Sequence, residues 1–173
     1  MTARFLLARN KAAELIEQVG ITAAPVSLEL IAKHLKAEIH FEPFPGELSG
    51  MMHRMDDGTS VIGVNATHPR VRKRFTVAHE IAHLVLHTDE GMHFDESFPI
   101  SFRNESSSLA TDDREIEANQ FAAALLMPEA FLKEDVEMFD GTDYEDAVSE
   151  LAKKYQVSIQ AMSIRLGSLG LIA

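Results

Sequence analysis

Apolar side chains recur at helical spacing along most of the chain, which predicts a mainly helical protein. Residues 4–19 place their apolar positions largely on one face, and Gly20 follows as a helix stop. Ser27 and Glu29 begin a second helix that ends near Leu35. Five later segments have the same periodicity or the same end signals: 75–88, 111–127, 129–139, 144–155 and 158–169.

Three short segments have the composition of β-strands. Residues 37–41 form the first, and residues 50–55 and 59–65 flank Asp56-Asp57-Gly58, a sequence typical of a hairpin turn. Residues 89–111 contain glycine, proline and three consecutive serines without periodicity, so we expect a long loop there. Together the segments predict an α+β fold, with a mainly helical, zincin-like core around a small β-sheet.

The C-terminal segment predicts a separate pair of helices. A break at Gly141 and Thr142 divides the chain into a domain at 1–140 and a helical pair at 141–173 packed on it, with a single domain at 1–173 as the alternative. Residues 151–166 resemble a helix-turn-helix, although glutamine stands where glycine is usual in the turn. Residues 142–173 hold three basic and four acidic side chains, a net charge of −1. A DNA reader normally has a basic surface, so we expect packing on the core or binding to a partner.

Composition excludes several kinds of site and partner. The 173 residues include no cysteine, which excludes disulfides, thiolate metal sites and a cysteine nucleophile. A metal would have to be held by His, Asp or Glu. The formal net charge of −11 disfavours contact with phosphate backbones, so we do not expect direct nucleic-acid binding. The same charge would suit a basic protein partner.

The N-terminal segment lacks the pattern of a signal peptide, because its apolar run at 5–8 is short and charges follow at once. No apolar run approaches the roughly 20 residues that a membrane-spanning helix needs. We therefore expect a soluble, cytoplasmic protein that does not bind a membrane.

One run of residues has the spacing of a metal-binding motif. His79-Glu80-Ile81-Ala82-His83 fits the pattern HExxH. Helix positions four apart lie on the same face, so the two imidazoles can hold one zinc ion. Glu80 can then act as the general base that removes a proton from a water at the metal. Two histidines and a glutamate on a largely apolar helix favour a metal site over ordinary core histidines, because unpaired polar groups are costly to bury.

A catalytic zinc ion needs a third protein ligand and an open position. The metzincin pattern would require glycine at 86 and histidine at 89, but the chain has Leu86 and Asp89. A glutamate from a later helix remains. Glu115 and Glu117 are both candidates, and they point about 200° apart on a helix. Only one of them can face the metal, and the periodicity of the helix does not choose between them.

Two motifs, in this order, resemble the ImmA/IrrE family of zinc metallopeptidases: RFTVAHEIAHLVLH at 74–87 and EIEANQFAAALLMP at 115–128. The resemblance covers roughly residues 20–130. It implies one zinc ion held by His79, His83 and Glu117, with Glu115 as the second choice for the third ligand. It also implies that Glu80 is the catalytic base.

The residues around these motifs have expected roles as well. Asn119 would orient a metal ligand, as such sites generally require. His87 would line the site or support a ligand, and the alternative is a histidine placed favourably at a helix C-terminus. The group that stabilises the oxyanion of the reaction could be His87, His93 or Tyr144, and the sequence does not rank them.

The family resemblance implies hydrolysis of a peptide bond in a protein substrate. Family members typically cleave helix-turn-helix transcriptional repressors, in toxin–antitoxin pairs or stress responses, so such a repressor is the expected partner. An edge of the hairpin at 50–65 could hold an extended substrate by strand addition. The alternative function is a non-catalytic, metal-binding regulator that binds a repressor or DNA. Glu80 argues against it, because a structural zinc site needs no general base.

Overall fold

A computed structural model describes residues 3–46, 48–89, 91–95, 113–139 and 143–171. Over these ranges the expected α+β, mainly helical fold is confirmed. The elements in chain order are α1 (Ala3–Val19), α2 (Leu28–His34), β1 (Ala37–Glu42), β2 (Gly50–Arg54), β3 (Ser60–Asn65), α3 (Arg70–Leu86), β4 (Met92–Asp95), α4 (Asp113–Leu126), α5 (Glu129–Val136), a short 3-10 helix (Glu137–Phe139), α6 (Tyr144–Tyr155) and α7 (Ile159–Leu169).

The starts of α2 and α3 are marked by the residue that precedes each helix. The hydroxyl of Ser27 accepts a hydrogen bond from the backbone N–H of Leu30 at 3.3 Å, so α2 begins directly after it. α3 begins at Arg70, five residues earlier than the predicted start and directly after Pro69, whose backbone is extended. The basic run at 70–74 therefore forms the first turns of α3 rather than a connection in front of it.

The longest described helices are α1 and α3, with 17 residues each. Both carry charged side chains along their length. Across the described ranges, the structure contains no helix whose length and apolar character would let it cross a membrane.

The four described strands form one mixed sheet in the order β1-β3-β2-β4. β1 is parallel to β3, whereas β2 runs antiparallel to both β3 and β4. The predicted hairpin is confirmed by the pairing of β2 with β3. β4 was not predicted, because it lies within the segment expected to be a loop. The rest of that loop prediction, at 96–111, lies outside the described residues, as does Glu90.

β4 reverses the usual alternation of a half-buried strand. His93 and Asp95 face the interior, whereas Met92 and Phe94 are exposed. In most antiparallel sheets the apolar side chains face the core, so the hydrophobic pattern contains no signal for this strand. Pairing with β2 forms it.

Both strands of the hairpin lie inside the sheet. β3 pairs with β1 and β2, and β2 pairs with β3 and β4, so their backbone groups are already bonded on both sides. The expectation that a hairpin edge holds an extended substrate is therefore wrong. Among the described strands, β1 and β4 are the outer ones.

One cluster of buried apolar residues joins the helices to the sheet. α4 packs against both α3 and α1, and α3 also packs on β2 and β3. The cluster includes Ile31 of α2, Ile62 of β3, Ile81 of α3, Phe121 of α4 and Leu166 of α7. The HExxH helix is thus held between the sheet and α4.

The C-terminal helices contribute to the same cluster. The hydroxyl of Tyr155 donates to Oδ2 of Asp135 at 2.7 Å, and Nε of Arg165 donates to the carbonyl of Met127 at 3.1 Å. Burial, together with the nearby Arg9, lowers the pKa of Arg165 to about 10. The predicted domain boundary, at 140–142, lies outside the described residues.

Candidate metal centre

The polar side chains of the HExxH motif face the interior of the protein. His79, Glu80 and His83 are exposed by 2%, 0% and 0%. The Nε2 atoms of the two histidines are 3.2 Å apart, because the residues lie one helical turn apart on the same face of α3. The motif therefore gathers two imidazoles and a carboxylate in a buried position.

Glu115, in the first turn of α4, brings a carboxylate to both imidazoles. Its Oε2 lies 3.2 Å from Nε2 of His79, and its Oε1 lies 3.3 Å from Nε2 of His83. Burial would raise the pKa of Glu115, but hydrogen bonds and charge interactions with the two histidines outweigh it and hold the pKa well below its usual range. The carboxylate is therefore ionised at neutral pH.

The donor atoms have the spacing of a metal site. The distances that join the two Nε2 atoms to each other and to the Glu115 oxygens are 3.2–3.3 Å. In a tetrahedral zinc site with bonds of about 2.0–2.1 Å, neighbouring ligand atoms lie about 3.3 Å apart. The residues present therefore fit a metal ion bound by two histidines and one glutamate.

Glu117 contacts a different set of side chains. Its Oε2 lies 3.2 Å from Nε2 of His87, and its Oε1 lies 3.4 Å from Arg4. Two residues along a helix correspond to a turn of about 200°, so Glu115 and Glu117 cannot face the same point. The structure brings Glu115, and not Glu117, to the HExxH imidazoles, which favours Glu115 as the candidate for the third ligand.

Two polar side chains support the imidazoles on the side away from the metal position. Oδ1 of Asn119 lies 3.2 Å from Nδ1 of His79, which fits the orienting role expected for it. Nδ1 of His87 lies 3.0 Å from Nδ1 of His83. His87 is buried at the end of α3 and contacts the ring of a metal-ligand candidate from behind.

His93 flanks the cluster from β4. Its Nε2 lies 3.6 Å from Oε1 of Glu115, and its ring stacks on that of His83, with centroids 3.6 Å apart and planes 16° from parallel. The lone pair of a ring nitrogen lies in the ring plane, so two stacked rings do not aim at a common point. His93 is therefore placed beside the metal position, unlike His79 and His83.

The three candidates for oxyanion stabilisation occupy different environments. His93 contacts the cluster, whereas His87 is held between His83 and Glu117. The hydroxyl of Tyr144 makes its hydrogen bond with Ser163 of α7, at 2.8 Å.

Two residues that the sequence did not single out lie next to Glu80. A Cβ atom at Gly50 would come within 2.9 Å of Oε1 of Glu80 and would overlap the side chain of Thr76. Asp95 of β4 is buried, and its carboxylate lies within 4.8 Å of donor atoms of His79 and Glu80. The only sequence signal for either residue is a glycine at the start of a predicted strand, which is a weak one.

Arg54 of β2 holds the C-terminal end of the HExxH helix. One of its terminal nitrogens donates to the carbonyls of His83, Leu84 and His87 at 3.2, 2.8 and 3.3 Å. A cation at a helix C-terminus is favourable, because the last carbonyls carry partial negative charge. The contact ties the turn that carries His83 and His87 to the sheet.

Two comparisons with known proteins found sequences similar to this chain. The family model of the IrrE N-terminal-like domain, peptidase family M78, matches residues 32–167. The radiation response metalloprotease IrrE of Deinococcus radiodurans is 38% identical to this chain over 105 residues. That match covers 60% of this chain and 29% of the relative, so the chain aligns with less than a third of the relative's length.

Proposed function

Because the chain belongs to the IrrE N-terminal-like family of metallopeptidases, we propose that it is a zinc-dependent endopeptidase. One observation carries the proposal: the donor atoms of His79, His83 and Glu115 have metal-site spacing next to the buried carboxylate of Glu80. Two histidines and one glutamate leave one zinc position open for water or substrate.

The proposed reaction is hydrolysis of a peptide bond. A zinc ion, when bound, lowers the pKa of water and polarises the peptide carbonyl. Glu80 accepts a proton from the water whose oxygen bonds to the carbonyl carbon. As the C–N bond breaks, Glu80 passes that proton to the leaving amine, so the products are a carboxylic acid and an amine, which then ionise to a carboxylate and an ammonium group.

His93 is the residue we propose for stabilising the oxyanion that develops during attack. It flanks Glu115 and its ring stacks on that of His83, so it borders the proposed metal position, where an oxyanion-stabilising group is needed. Both ring nitrogens of His87 already contact other side chains, and Tyr144 contacts α7. The position of His93 therefore favours it over the other two.

We propose a helix-turn-helix repressor as the substrate, in a toxin–antitoxin pair or a stress response that regulates transcription. The net charge of −11 would attract a basic, DNA-binding protein. Direct contact of this chain with DNA is not part of the proposal. On α7 the exposed side chains include Ile159, Gln160 and Ile164, which carry no positive charge to neutralise a phosphate backbone.

A non-catalytic, metal-binding regulator is the second candidate, and one observation favours it. Donor atoms of His79, His83, His93 and Glu115 all lie within 4.8 Å of one another. If the ring of His93 turned onto the metal, four protein ligands would close the site, as in structural zinc sites.

The test compares the wild-type protein with Glu80→Gln. Zinc content per chain is measured, together with cleavage of a purified helix-turn-helix repressor and of a mixed peptide substrate. We expect one zinc ion in both proteins, and a cleavage rate about 10²–10⁴-fold lower in the variant, since the base is lost. Failure of the wild type to bind metal would show that the proposal is wrong. Zinc binding without cleavage of either substrate would favour the regulator.

A matched pair of variants tests the third ligand. Glu115→Gln and Glu117→Gln remove the same charge two residues apart on α4. We expect Glu115→Gln to lose zinc and Glu117→Gln to retain it, because only Glu115 contacts both imidazoles. The reverse result would restore Glu117 as the ligand.

A further inference from the structure

A line of polar side chains runs from the metal centre to the protein surface. Nδ1 of His83 lies 3.0 Å from Nδ1 of His87, and Nε2 of His87 lies 3.2 Å from Oε2 of Glu117. Oε1 of Glu117 lies 3.4 Å from Arg4, which also pairs with Asp113 at 3.0 Å. The proposed metal chemistry assigns a role only to the first of these residues.

The contacts admit one consistent placement of ring protons once His83 binds a metal through Nε2. That nitrogen then carries no proton, so Nδ1–H of His83 donates to Nδ1 of His87. His87 in turn carries its proton on Nε2 and donates it to the carboxylate of Glu117. Each of the two rings therefore has a single tautomer, and the hydrogen bonds end at the carboxylate of Glu117, which accepts.

We propose that His87 and Glu117 form a relay that positions His83 for the metal, with Arg4 of α1 holding its outer end. The inference rests on the proposed metal site. Metal-binding histidines generally donate their second N–H to a carboxylate, carbonyl or water, which orients the ring and raises its basicity. The second ring nitrogen of His79 contacts the side-chain oxygen of Asn119 directly. The second ring nitrogen of His83 instead contacts the imidazole of His87, which in turn contacts Glu117.

The members of the relay differ in burial, and we therefore expect them to contribute differently to zinc affinity. His83 and His87 are buried, so a missing acceptor would leave a ring N–H unsatisfied. The Glu117 side chain is 16% exposed, whereas the Arg4 side chain is 64% exposed. Exposed ion pairs contribute little, so the relay should depend mainly on His87 and Glu117. Arg4 lies before the matched family region, which begins at residue 32.

The test measures zinc affinity by competition with a chelator, without any substrate. His87→Phe and Glu117→Leu introduce side chains of similar size that cannot accept a hydrogen bond. His87→Gln and Glu117→Gln introduce an amide oxygen that can accept one. We expect the first pair to weaken zinc binding by about 10–100-fold and the glutamine pair by less than about threefold. Arg4→Met should weaken it by less than about fivefold.

A second readout does not depend on substitution. Long-range ¹H–¹⁵N spectra of the zinc-loaded wild type should show the proton of His83 on Nδ1 and that of His87 on Nε2. Thermal unfolding of each metal-free variant identifies any loss of affinity that reflects a loss of fold. If His87→Phe does not fold, Glu117→Leu and the spectra still decide.

The outcomes separate the relay from the metal site. If the wild type binds zinc and both acceptor-free variants bind it equally well, the relay is overturned and the metal centre stands. A His87 that carries its proton on Nδ1 also overturns the relay. If the wild type binds no zinc, the proposed function fails, and the relay fails with it.

Discussion

At the scale of single residues, a position without a side chain helps to determine where Glu80 can lie. Gly50 begins β2 and lies against the side chains of Thr76 and Glu80 on α3. Any Cβ atom at this position would overlap Thr76 and press on the Glu80 carboxylate. The absence of a Cβ atom at Gly50 thus leaves the room that the side chains of Thr76 and Glu80 occupy.

We predict that Gly50→Ala reduces cleavage more than it reduces zinc affinity, because the added methyl displaces Glu80 rather than the ligands. Overpacking of this kind costs about 1–3 kcal/mol, so the free energy of unfolding should also fall. Rates of peptide cleavage, zinc competition and denaturant unfolding measure the three effects. The matched control is Gly167→Ala on α7, where an added Cβ meets nothing within 4 Å. It should be stabilising by up to about 1 kcal/mol. Unchanged cleavage in Gly50→Ala would contradict the prediction.

The spacing of the motif predicts His79, Glu80 and His83 but not the third ligand. The angle between Glu115 and Glu117 follows from helix geometry. Which of them faces the metal depends on how α4 is rotated against α3, and this is a property of packing between segments. The sequence suggests His93 only as one of three oxyanion candidates and does not single out Asp95. Both lie on the inner face of β4, whose exposed positions are apolar, so apolar alternation does not reveal this strand.

At the scale of elements, the turn between α6 and α7 departs from the usual sequence. Gln156 ends α6 in the left-handed region, with φ of 57°, and Ser158 caps α7 through its hydroxyl. Glycine adopts this conformation without a steric penalty, whereas other residues pay about 1–2 kcal/mol. The side chain of Gln156 accepts a hydrogen bond from Arg70 at the surface, which offsets part of this strain.

We predict that Gln156→Gly raises the free energy of unfolding by about 0.5–1 kcal/mol, because relief of the backbone strain exceeds the lost surface contact and the greater chain entropy of glycine. Urea-induced unfolding followed by circular dichroism measures the change. Gln156→Ala serves as the control, since it removes the side-chain contact and retains the strain. A gain in Gln156→Ala equal to that of Gln156→Gly would show that backbone strain is not the cause.

Elements with a strong signal in their own sequence were predicted, whereas features that depend on pairing between distant segments were not. The periodicity of α1, the capping serines of α2 and α7, and the Asp-Gly turn of the hairpin are all local features. The sheet order is not local. β1 pairs with β3, although β2 lies between them in the sequence, and β2 has β4 as its second neighbour. The expectation of a free hairpin edge was wrong because it considered β2 and β3 alone.

At the scale of the whole molecule, α1 is part of the support for the metal centre. It packs against α4, which carries Glu115, Glu117 and Asn119. Its buried face includes Ala8, Ala12, Leu15 and Ile16. Since the family match begins at residue 32, this support comes from outside the matched region.

We predict that Leu15→Ala lowers the free energy of unfolding by about 2–4 kcal/mol, because it leaves a cavity in the core. It should also weaken zinc binding, since α4 loses part of its packing. Leu6→Ala on the same helix is the control. Leu15 is 4% exposed and Leu6 is 54% exposed, so the control should change stability by less than about 0.5 kcal/mol. Denaturant unfolding and zinc competition measure both variants, and similar losses in the two would contradict the assignment.

The packing of α1 on α4 also has a consequence for synthesis on the ribosome. α4 ends at Leu126, about 100 residues after the end of α1 at Val19. At about 5–20 residues per second, synthesis of α4 is complete on the order of 5 to 20 s after synthesis of α1. During that interval the face of α1 that packs on α4 is uncovered and accessible to chaperones, so α1 reaches its final position on α4 only after α4 is made.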